Sequence, residues 1–395
     1  MKKTKLALAI TASAFIASPA LATNGTNMVG LGAQSAATGG TGVAAYYGAE
    51  NVIVNPGLIG KAQGTEFSFG GTVFMPSVSS DMGAGSEKST ADLNLIPSVS
   101  LASRINDQLT FGIGMYGTSG MGVDYSKHSS LMKAQSNMQI MRFAPTIAFN
   151  QANFGIGVSP IIQYGSLDIH YDASGLGGGA TEAGHGMASD LGFGFSLGGY
   201  FDVNSQLTVA ASYTSAIKMK YDGQLSGASQ QFTNFGLNSA FGDELAQPAE
   251  LKLGAAYNMG NMVYTADFKQ LAWGSATGYK DFGWEDQNVI ALGAKYNGNG
   301  YWAGIGFNQG NNPVKKLSDT ANNKVINMFN NLFFPATTES HITFGGGYNL
   351  TKHVSLDAAV VYAPEVKTSI TTPTNATNTT KHSQMGYTFS ARYNF

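Results

Sequence analysis

The chain contains no cysteine, and this absence excludes disulfide-stapled folds and any site built on thiolates. Charged residues make up only 12% of its 395 residues, against about 25% in soluble domains. After the first 22 residues, no apolar run approaches the roughly 18 residues that a membrane-spanning helix needs. These shortages argue against both an ordinary soluble domain and a helical membrane protein.

The motifs of metal and nucleotide enzymes are also missing. The six histidines show no His-Glu-x-x-His or other paired spacing typical of a zinc site. The stretch 39–42 resembles a phosphate-binding loop in glycine content only, because it lacks the lysine and the strand–helix frame. No serine–histidine pair can be placed from its spacing. The sequence therefore predicts no enzyme, no metal site and no cofactor.

What the chain has in abundance is the alternation of apolar and polar residues. In 385–395 every second residue is apolar, and the same pattern recurs in 191–201, 207–213, 251–257 and 354–362. Side chains of a strand point alternately to its two faces, so each segment has one apolar and one polar face. Runs of about ten such residues are typical of transmembrane β-barrels. We expect an all-β, antiparallel barrel rather than the alternative, a soluble β-sandwich.

The turns between these segments alternate in length. Six short polar turns lie at 106–107, 150–153, 204–205, 258–261, 297–300 and 351–353. Seven longer connections lie near 81–90, 117–130, 172–188, 222–248, 272–286, 308–339 and 363–382. Short periplasmic turns and long extracellular loops are typical of bacterial barrels, so this pattern predicts about fourteen transmembrane strands. The Thr- and Asn-rich stretch 368–380 is predicted to be a solvated loop tip.

The first residues indicate export. Three lysines among the first five residues precede the apolar run 6–16, and a small-x-small cleavage site ends at Ala22. This pattern predicts a secretory signal peptide over 1–22 and, with the barrel pattern, location in the bacterial outer membrane. Without those three lysines the net charge falls from −2 to about −5, which does not favour nucleic acid as a partner.

The next segment does not follow the strand pattern. Residues 23–62 are small and glycine-rich, and they precede the first predicted strand at about 64–80. A barrel of fourteen strands is wide enough to need filling or to leave a channel. The sequence therefore predicts an N-terminal hatch, or plug, over 23–62 that lies in the lumen of a barrel over 63–395.

Several segments, taken in order, resemble one known family. They are 51–59 with its Asn-Pro-Gly-Leu, 97–114, 231–237, 248–250, Trp273, 312–314 and 329–345. In this order they resemble the FadL/TodX family of outer-membrane channels for long-chain fatty acids and hydrocarbons. The resemblance covers the whole chain after the signal peptide. It implies a monomeric, fourteen-stranded barrel with a hatch, surrounded by outer-membrane lipid and lipopolysaccharide, that takes up hydrophobic small molecules passively.

A substrate-binding groove is expected outside the membrane. Apolar residues recur at helical spacing before Pro335, namely Val325, Met328, Phe329, Leu332 and Phe333. They predict an amphipathic helix that Pro335 ends. By the resemblance, Phe232, Phe235 and Leu237 face this helix. Because an apolar face in water needs a partner, the helix is expected to bind hydrophobic substrate, to pack on a neighbouring loop, or both.

The resemblance also assigns a role to Asn55, Pro56 and Gly57. These residues match the family's hatch element, which implies a hatch that moves when ligand binds. Glycine permits such backbone rearrangement at low steric cost. The alternative is a static plug in which Asn55 caps a turn.

A lateral gap in the barrel wall is expected at Phe111, Gly112, Ile113 and Gly114. Glycine within a strand often marks a bulge or kink, and the resemblance implies a kinked third strand through which ligand leaves sideways into the membrane. The alternative is that these glycines relieve crowding inside the barrel.

Three inward cations, Arg142, Lys252 and Arg392, are candidate contacts for a substrate carboxylate. A buried charge is costly unless it is paired, so the alternative is a salt bridge to Glu250 or another lumen acid. The strand 154–171 lacks the cation expected of a fatty-acid channel, which favours neutral hydrocarbons slightly over fatty acids. The alternative functions are a general porin, which should have many inward charges and no plug, and an adhesin-like surface barrel.

Overall fold

The computed structural model describes residues 24–177, 179–184 and 186–395, so the predicted signal peptide lies outside the described residues. The described chain is dominated by antiparallel strands. In chain order they are β1 (Thr65–Asp81), β2 (Glu87–Lys88), β3 (Asn94–Arg104), β4 (Leu109–Asp124), β5 (Gln135–Gln151), β6 (Phe154–Asp172), β7 (Glu182–Ala183), β8 (Ala188–Asp202), β9 (Leu207–Thr214), β10 (Glu250–Met259), β11 (Met262–Leu271), β12 (Gln287–Asn297), β13 (Tyr301–Gly310), β14 (Ser340–Asn349), β15 (Val354–Thr371) and β16 (Thr377–Asn394).

Fourteen of these strands close into one barrel. Each long strand pairs with its neighbours in sequence, and β16 pairs with β1 from Glu66↔Asn394 to Asp81↔Thr379. Closure removes the free sheet edges. β2 and β7 are short strands that pair with β1 and β6 at the end of the barrel that carries the long loops. The fourteen-stranded antiparallel barrel predicted from the turns is therefore confirmed. No helix among the described residues is long and apolar enough to cross a membrane.

The outer face of the barrel is apolar. Large side chains at alternate strand positions are exposed, including Phe69, Leu191, Phe193, Ile305 and Phe389. Phe193, for example, is 71% exposed. An apolar surface of this extent is unfavourable in water and is the surface that a bilayer requires.

The described residues include four α-helices that are not part of the barrel wall: α1 (Ala33–Ala37), α2 (Asn51–Val54), α3 (Leu225–Gln230) and α4 (Ala321–Phe333). The helix predicted from the apolar spacing before Pro335 is present as α4. The Thr320 hydroxyl caps its start by accepting a hydrogen bond from the Asn323 N–H at 3.3 Å, and the helix ends two residues before Pro335.

The predictions of a long connection near 363–382 and of a solvated loop tip over 368–380 were wrong in extent. β15 runs to Thr371 and β16 begins at Thr377, so only residues 372–376 connect them. Threonine is polar but β-branched, and it fits a strand well. The inner face of this hairpin is buried against α4, where the Thr380 hydroxyl donates to the Asn331 carbonyl at 3.2 Å. Polar composition alone therefore gave a misleading indication of exposure.

Residues 24–62 are almost entirely buried and hydrogen-bond to strands at several places around the barrel. The Thr26 hydroxyl lies 2.5 Å from that of Ser119 on β4, and the Gly39 N–H donates to the Thr343 hydroxyl on β14 at 2.8 Å. These contacts bring the N-terminal segment against inward-facing residues of the wall.

Candidate functional site

The eight residues predicted to form an external groove meet in one apolar cluster. Phe232, Leu237, Val325, Met328, Phe329, Leu332 and Phe333 are buried in it, and Phe235 packs against it half-buried. The ring centroid of Phe329 lies 6.1 Å from that of Phe232 and 5.0 Å from that of Phe333. In this structure the cluster is closed, so α4 packs on neighbouring loops rather than lining an open groove.

Sequence reasoning missed the loop 272–286 as the other half of this cluster. Trp273 and Trp284 have ring centroids 5.1 Å apart, and both rings contact Tyr279. The ring of Phe282 lies 5.6 Å from that of Phe329 and joins the two groups. Three aromatic residues within the six positions 279–284 were the signal that could have identified this loop.

The face of α4 opposite its apolar residues is also buried, although it carries asparagines. Asn327 bonds both backbone groups of Leu317, with distances of 2.9 and 3.0 Å. Asn330 accepts from the Trp284 indole N–H at 3.0 Å and donates to the Phe282 carbonyl at 2.7 Å. Buried amides that are fully bonded cost little, so these asparagines hold the loops over the helix.

A small cavity of about 60 Å³ lies between the N-terminal segment and the barrel wall. Its apolar lining comes from both sides and includes Val29, Leu31, Ile53, Val54 and Leu271. Its charged lining consists of Arg142, Glu250, Lys252 and Lys269. An apolar pocket with a few converging polar groups is the usual form of a small-molecule site.

The cations of this cavity differ in their partners. Glu250 pairs with Arg142 at 3.3 Å and with Lys252 at 2.8 Å. Arg142 also donates to the Gln163 amide oxygen at 2.9 Å, while its Nη2 is buried without a hydrogen-bond partner. The ammonium of Lys269 donates to the Gly40 carbonyl at 2.5 Å. The structure therefore brings Arg142 and Lys252 together around one carboxylate.

Arg392 lies elsewhere. It pairs with Asp357 at 2.5 Å and lines a second cavity of about 560 Å³ at the short-turn end of the barrel, beside Tyr46 and Tyr47. Asp357 also accepts a hydrogen bond from the Trp302 indole at 2.7 Å. A ligand in the first cavity does not meet this arginine.

Two charged residues of β11 bind the backbone of the N-terminal segment, and sequence reasoning missed both. The Asp267 carboxylate accepts the N–H groups of Gly42 and Val43 at 2.9 and 3.1 Å, and Lys269 holds the Gly40 carbonyl. Both side chains point into the barrel, because alternate residues of β11 face inward. An acid and a base on the inner face of one strand were the signal that pointed to them.

The Asn55-Pro56-Gly57 element packs on paired glycines of the wall. The Asn55 amide donates to the Val43 carbonyl at 2.8 Å, and its oxygen accepts the Gly57 N–H at 3.0 Å. A Cβ on Gly57 would lie only 2.7 Å from the carbonyl oxygen of Gly198. The close approach requires glycine on both sides and seats the segment firmly.

Phe111 to Gly114, where a gap was expected, are regularly paired with β3 and β5. A Cβ on Gly112 would meet Ile59 Cδ1 at 2.7 Å and Val52 Cγ2 at 2.9 Å. The glycines here make room for side chains of the N-terminal segment, which is the alternative that the sequence left open. The interruption of the wall lies a few residues further along the strand.

Pairing between β3 and β4 stops at Ser98↔Tyr116, and a bulge follows between Gly117 and Ser119. Beyond this point the N-terminal segment takes the place of β3. The Met28 N–H donates to the Thr118 carbonyl at 3.1 Å, beside an antiparallel bridge of Asn27 with Ser119. β4 thus leaves its neighbour in the wall and pairs with residues 26–28.

Three apolar side chains form a small cluster near this point. Phe74 and Ile96 are buried against each other, and Met28 of the N-terminal segment packs onto them. Among the described residues, no group of three or more His, Cys, Asp or Glu side chains is arranged to hold a metal ion.

Known structures share this architecture. The toluene transporter TodX of Pseudomonas putida is 19% identical, with a TM-score of 0.70 over 93% of this chain and 99% of that one. A FadL homologue of Pseudomonas aeruginosa is 14% identical, with a TM-score of 0.72 over 94% of this chain and 100% of that one. The toluene transporter TbuX of Ralstonia pickettii is 17% identical, with a TM-score of 0.68 over 93% of this chain and 99% of that one. At these identities the likeness shows the fold.

One curated sequence is also similar, an uncharacterized protein encoded in the 5′ region of the phosphoenolpyruvate carboxykinase gene of Chlorobium limicola. It is 40% identical over 95 residues, which span 24% of this chain and 47% of that protein. The family model described as "Outer membrane protein transport protein (OMPP1/FadL/TodX)" matches residues 8–395. The chain therefore belongs to the OMPP1/FadL/TodX family of outer membrane transport proteins.

Proposed function

We propose that this protein is a monomeric, passive channel that carries hydrophobic molecules across the outer membrane. Family membership supports transport, and the named relatives include two toluene transporters and a FadL homologue. The observation that carries the proposal is the cavity lined by apolar residues between the N-terminal segment and the wall. An apolar path through protein lets a hydrophobic molecule bypass the polar outer leaflet.

Residues 24–62 act as a hatch in this proposal. They hydrogen-bond to well-separated strands, for example Thr26 to β4, Thr41 to Thr265 of β11, and Glu50 to Ser390 of β16. A segment tied to several sides of a closed sheet, and buried throughout, blocks free passage of water. The hatch must move for ligand to pass, and Lys269 and Asp267 are the strand residues that bind its backbone.

The route begins at the aromatic cluster around α4. Opening of the loops 222–248 and 308–339 exposes Phe232 and Phe329 to a hydrophobic molecule, which then moves to the cavity. Exit follows where β4 leaves β3, beside the small apolar cluster of Met28, Phe74 and Ile96. A ligand that leaves there enters the membrane without crossing water.

The charges of the cavity favour hydrophobic molecules that carry an acidic end. Three cations face one carboxylate, and Arg142 Nη2 has no partner in the described residues. An unpaired buried donor is costly, and a substrate carboxylate satisfies it. We therefore propose substrates with an acidic end, although the sequence slightly favoured neutral hydrocarbons.

We expect the purified protein to give no swelling of liposomes in small sugars beyond that of protein-free vesicles. The buried hatch leaves no water-filled bore of the kind that a general porin needs. An authentic porin in matched vesicles is the positive control. Rapid swelling with this protein would favour the porin alternative over the channel for hydrophobic molecules.

Arg142→Gln should weaken binding of a long-chain carboxylate about tenfold, because hydrogen bonds to charged groups contribute about 1.5–3 kcal/mol. Binding of a neutral hydrocarbon of equal length should change less than about twofold. Arg392→Gln is the matched control, since Arg392 lies outside this cavity. Tryptophan fluorescence titration measures ligand binding by the unmodified protein and by the two variants. Equal losses for both ligands would indicate disturbed folding and contradict the assignment of Arg142.

A further inference from the structure

Three lysines form a row on the outer face of the barrel, above its apolar band. Lys88 of β2 pairs with Ser79 of β1, Ser79 pairs with Lys381 of β16, and Lys381 pairs with Lys367 of β15. Neighbouring strands lie about 4.8 Å apart, so the row spans roughly 14 Å. We call Lys88, Lys367 and Lys381 the lysine row.

The position of the row relative to lipid follows from the outward residues of β16. Met385 is the last apolar one toward the long loops, level with the exposed Met75 and Tyr362. The next outward residues toward the long loops are Ser383 and then Lys381. Four residues extend about 13 Å along a strand, or roughly 10 Å along the membrane normal at the usual tilt. This height places the lysine row beside lipid head groups rather than acyl chains.

The lysine row does not stabilise the fold. Lys367 and Lys381 stand directly opposite each other, and like charges in that position destabilise a sheet. Lys88 lies 3.3 Å from Asp92 and Lys381 lies 3.8 Å from Glu365, but both are exposed pairs of little energetic value. Lys367 forms no ion pair with any residue that the structure describes.

The surroundings of the row carry both hydroxyl groups and acids. Ser79 lies within the row, and the next outward row consists of Asp81, Thr379 and Ser369, paired in that order. Ammonium groups with adjacent hydroxyls are good donors to phosphate oxygens. At the same end of the barrel, the outer face of β6 carries Asp168 and Asp172 with Lys133 and His170 beside them, so that part of the surface is of mixed charge.

We propose that the lysine row binds phosphate groups of lipopolysaccharide in the outer leaflet. The phosphates of this glycolipid lie just above its acyl chains, which matches the height of the row above Met385. A phosphate bound between Lys367 and Lys381 relieves their repulsion, and the several phosphates of one lipid together bridge four strands near the closure of the barrel. The site depends on location in the outer membrane and not on the transported substrate.

The test measures binding of fluorescently labelled lipopolysaccharide to the purified full-length protein in detergent. The triple variant Lys88→Gln, Lys367→Gln, Lys381→Gln should bind about a hundredfold more weakly, at roughly fivefold per lysine. The matched control changes three exposed loop lysines at the same end to glutamine and should bind as the unmodified protein does. Those lysines are Lys280, Lys315 and Lys316.

Two further measurements test whether the lysine row recognises the phosphate groups of the lipid. Dephosphorylated lipopolysaccharide should bind the unmodified protein as weakly as the triple variant binds the intact lipid. Inorganic phosphate at millimolar concentration should not displace the lipid; complete displacement would mean a simple anion site and overturn the proposal.

Triple-variant binding within twofold of the unmodified protein would also overturn the proposal. Lys367→Gln alone removes the like-charge pair without loss of an ion pair, so it should fold normally and bind about fivefold more weakly. Its unchanged binding would contradict the proposal even if the triple variant failed to fold. Binding of hydrophobic substrate should be unaffected in every variant, which separates this site from the proposed channel.

Discussion

Oxidation of the double variant Asn27→Cys, Ser119→Cys should reduce uptake of hydrophobic molecules by cells with an intact lipopolysaccharide leaflet to the rate of cells that lack the protein, and reduction should restore it. The two residues form an antiparallel bridge flanked by backbone hydrogen bonds on either side. Their Cα atoms in such a pair lie about 4.5 Å apart, within the range that a disulfide spans. The natural chain contains no cysteine, so a single defined bond forms.

The expected loss is large because this bond fixes the N-terminal segment onto β4. In the proposed route, residues 26–28 must leave β4 before a ligand can pass between that strand and β3. A disulfide that survives throughout the assay removes this motion altogether. Uptake of a radiolabelled long-chain carboxylate and of a neutral hydrocarbon by these cells, with and without reductant, measures the effect.

The control places a disulfide where no motion is proposed. Thr72 and Thr388 are cross-strand partners on β1 and β16, and their hydroxyls lie 2.8 Å apart. Cysteines at these two positions join strands that are already paired, so oxidation should leave uptake unchanged. Normal uptake by the oxidised N27C/S119C protein would show that the ligand leaves by another path, and the exit beside Met28 would have to be abandoned.

The barrel could be predicted from the sequence because its pattern is local and repeated. Each strand carries its own two-residue alternation, and turn lengths alone gave the number of strands. The hairpin of β15 and β16 was misjudged because its polar inner face meets α4, a contact between segments distant in the chain. Asn378, for example, accepts a hydrogen bond from Asn331 at 2.9 Å.

The candidate site was harder to predict because it is defined by which segments meet inside the closed sheet. Glycine occupies positions 112, 114 and 117, and only their contacts in the structure show which of them lies at the interruption of the wall. Gly112 accommodates Val52 and Ile59, whereas Gly117 stands where pairing with β3 has stopped. Lys269 binds a carbonyl some 229 residues away in the chain, a partner that no local pattern reveals.

Opening of the proposed hatch should depend on pH through Glu50. This carboxyl is 3% exposed and accepts hydrogen bonds from the hydroxyls of Ser68 and Ser390, each at 2.9 Å. Burial raises the pKa of Glu50 from 4.5 to about 7, although these hydrogen bonds act in the opposite direction. The seated segment therefore prefers the neutral carboxyl.

The sign of the effect follows from the raised pKa. The stabilisation is fully present below pH 4.5, where the carboxyl is protonated in both states, and is lost as pH rises through 7. A shift of this size corresponds to about 3 kcal/mol in total. Between pH 4.5 and pH 8 the opening equilibrium of the segment should rise about a hundredfold, since each 1.4 kcal/mol is a factor of ten.

Hydrogen exchange of the amides in 24–62, corrected for the intrinsic effect of pH, measures this change in the detergent-solubilised protein. Glu50→Gln keeps the shape of the neutral carboxyl and cannot ionise, so the variant should lose this hundredfold pH dependence and match the protection of the unmodified protein at pH 4.5. Glu182→Gln, on the outer face of the barrel, should retain the original pH dependence. Equal protection of the unmodified protein at both pH values would mean that Glu50 does not ionise on opening, because an ionising buried carboxyl must weaken the seated state as pH rises.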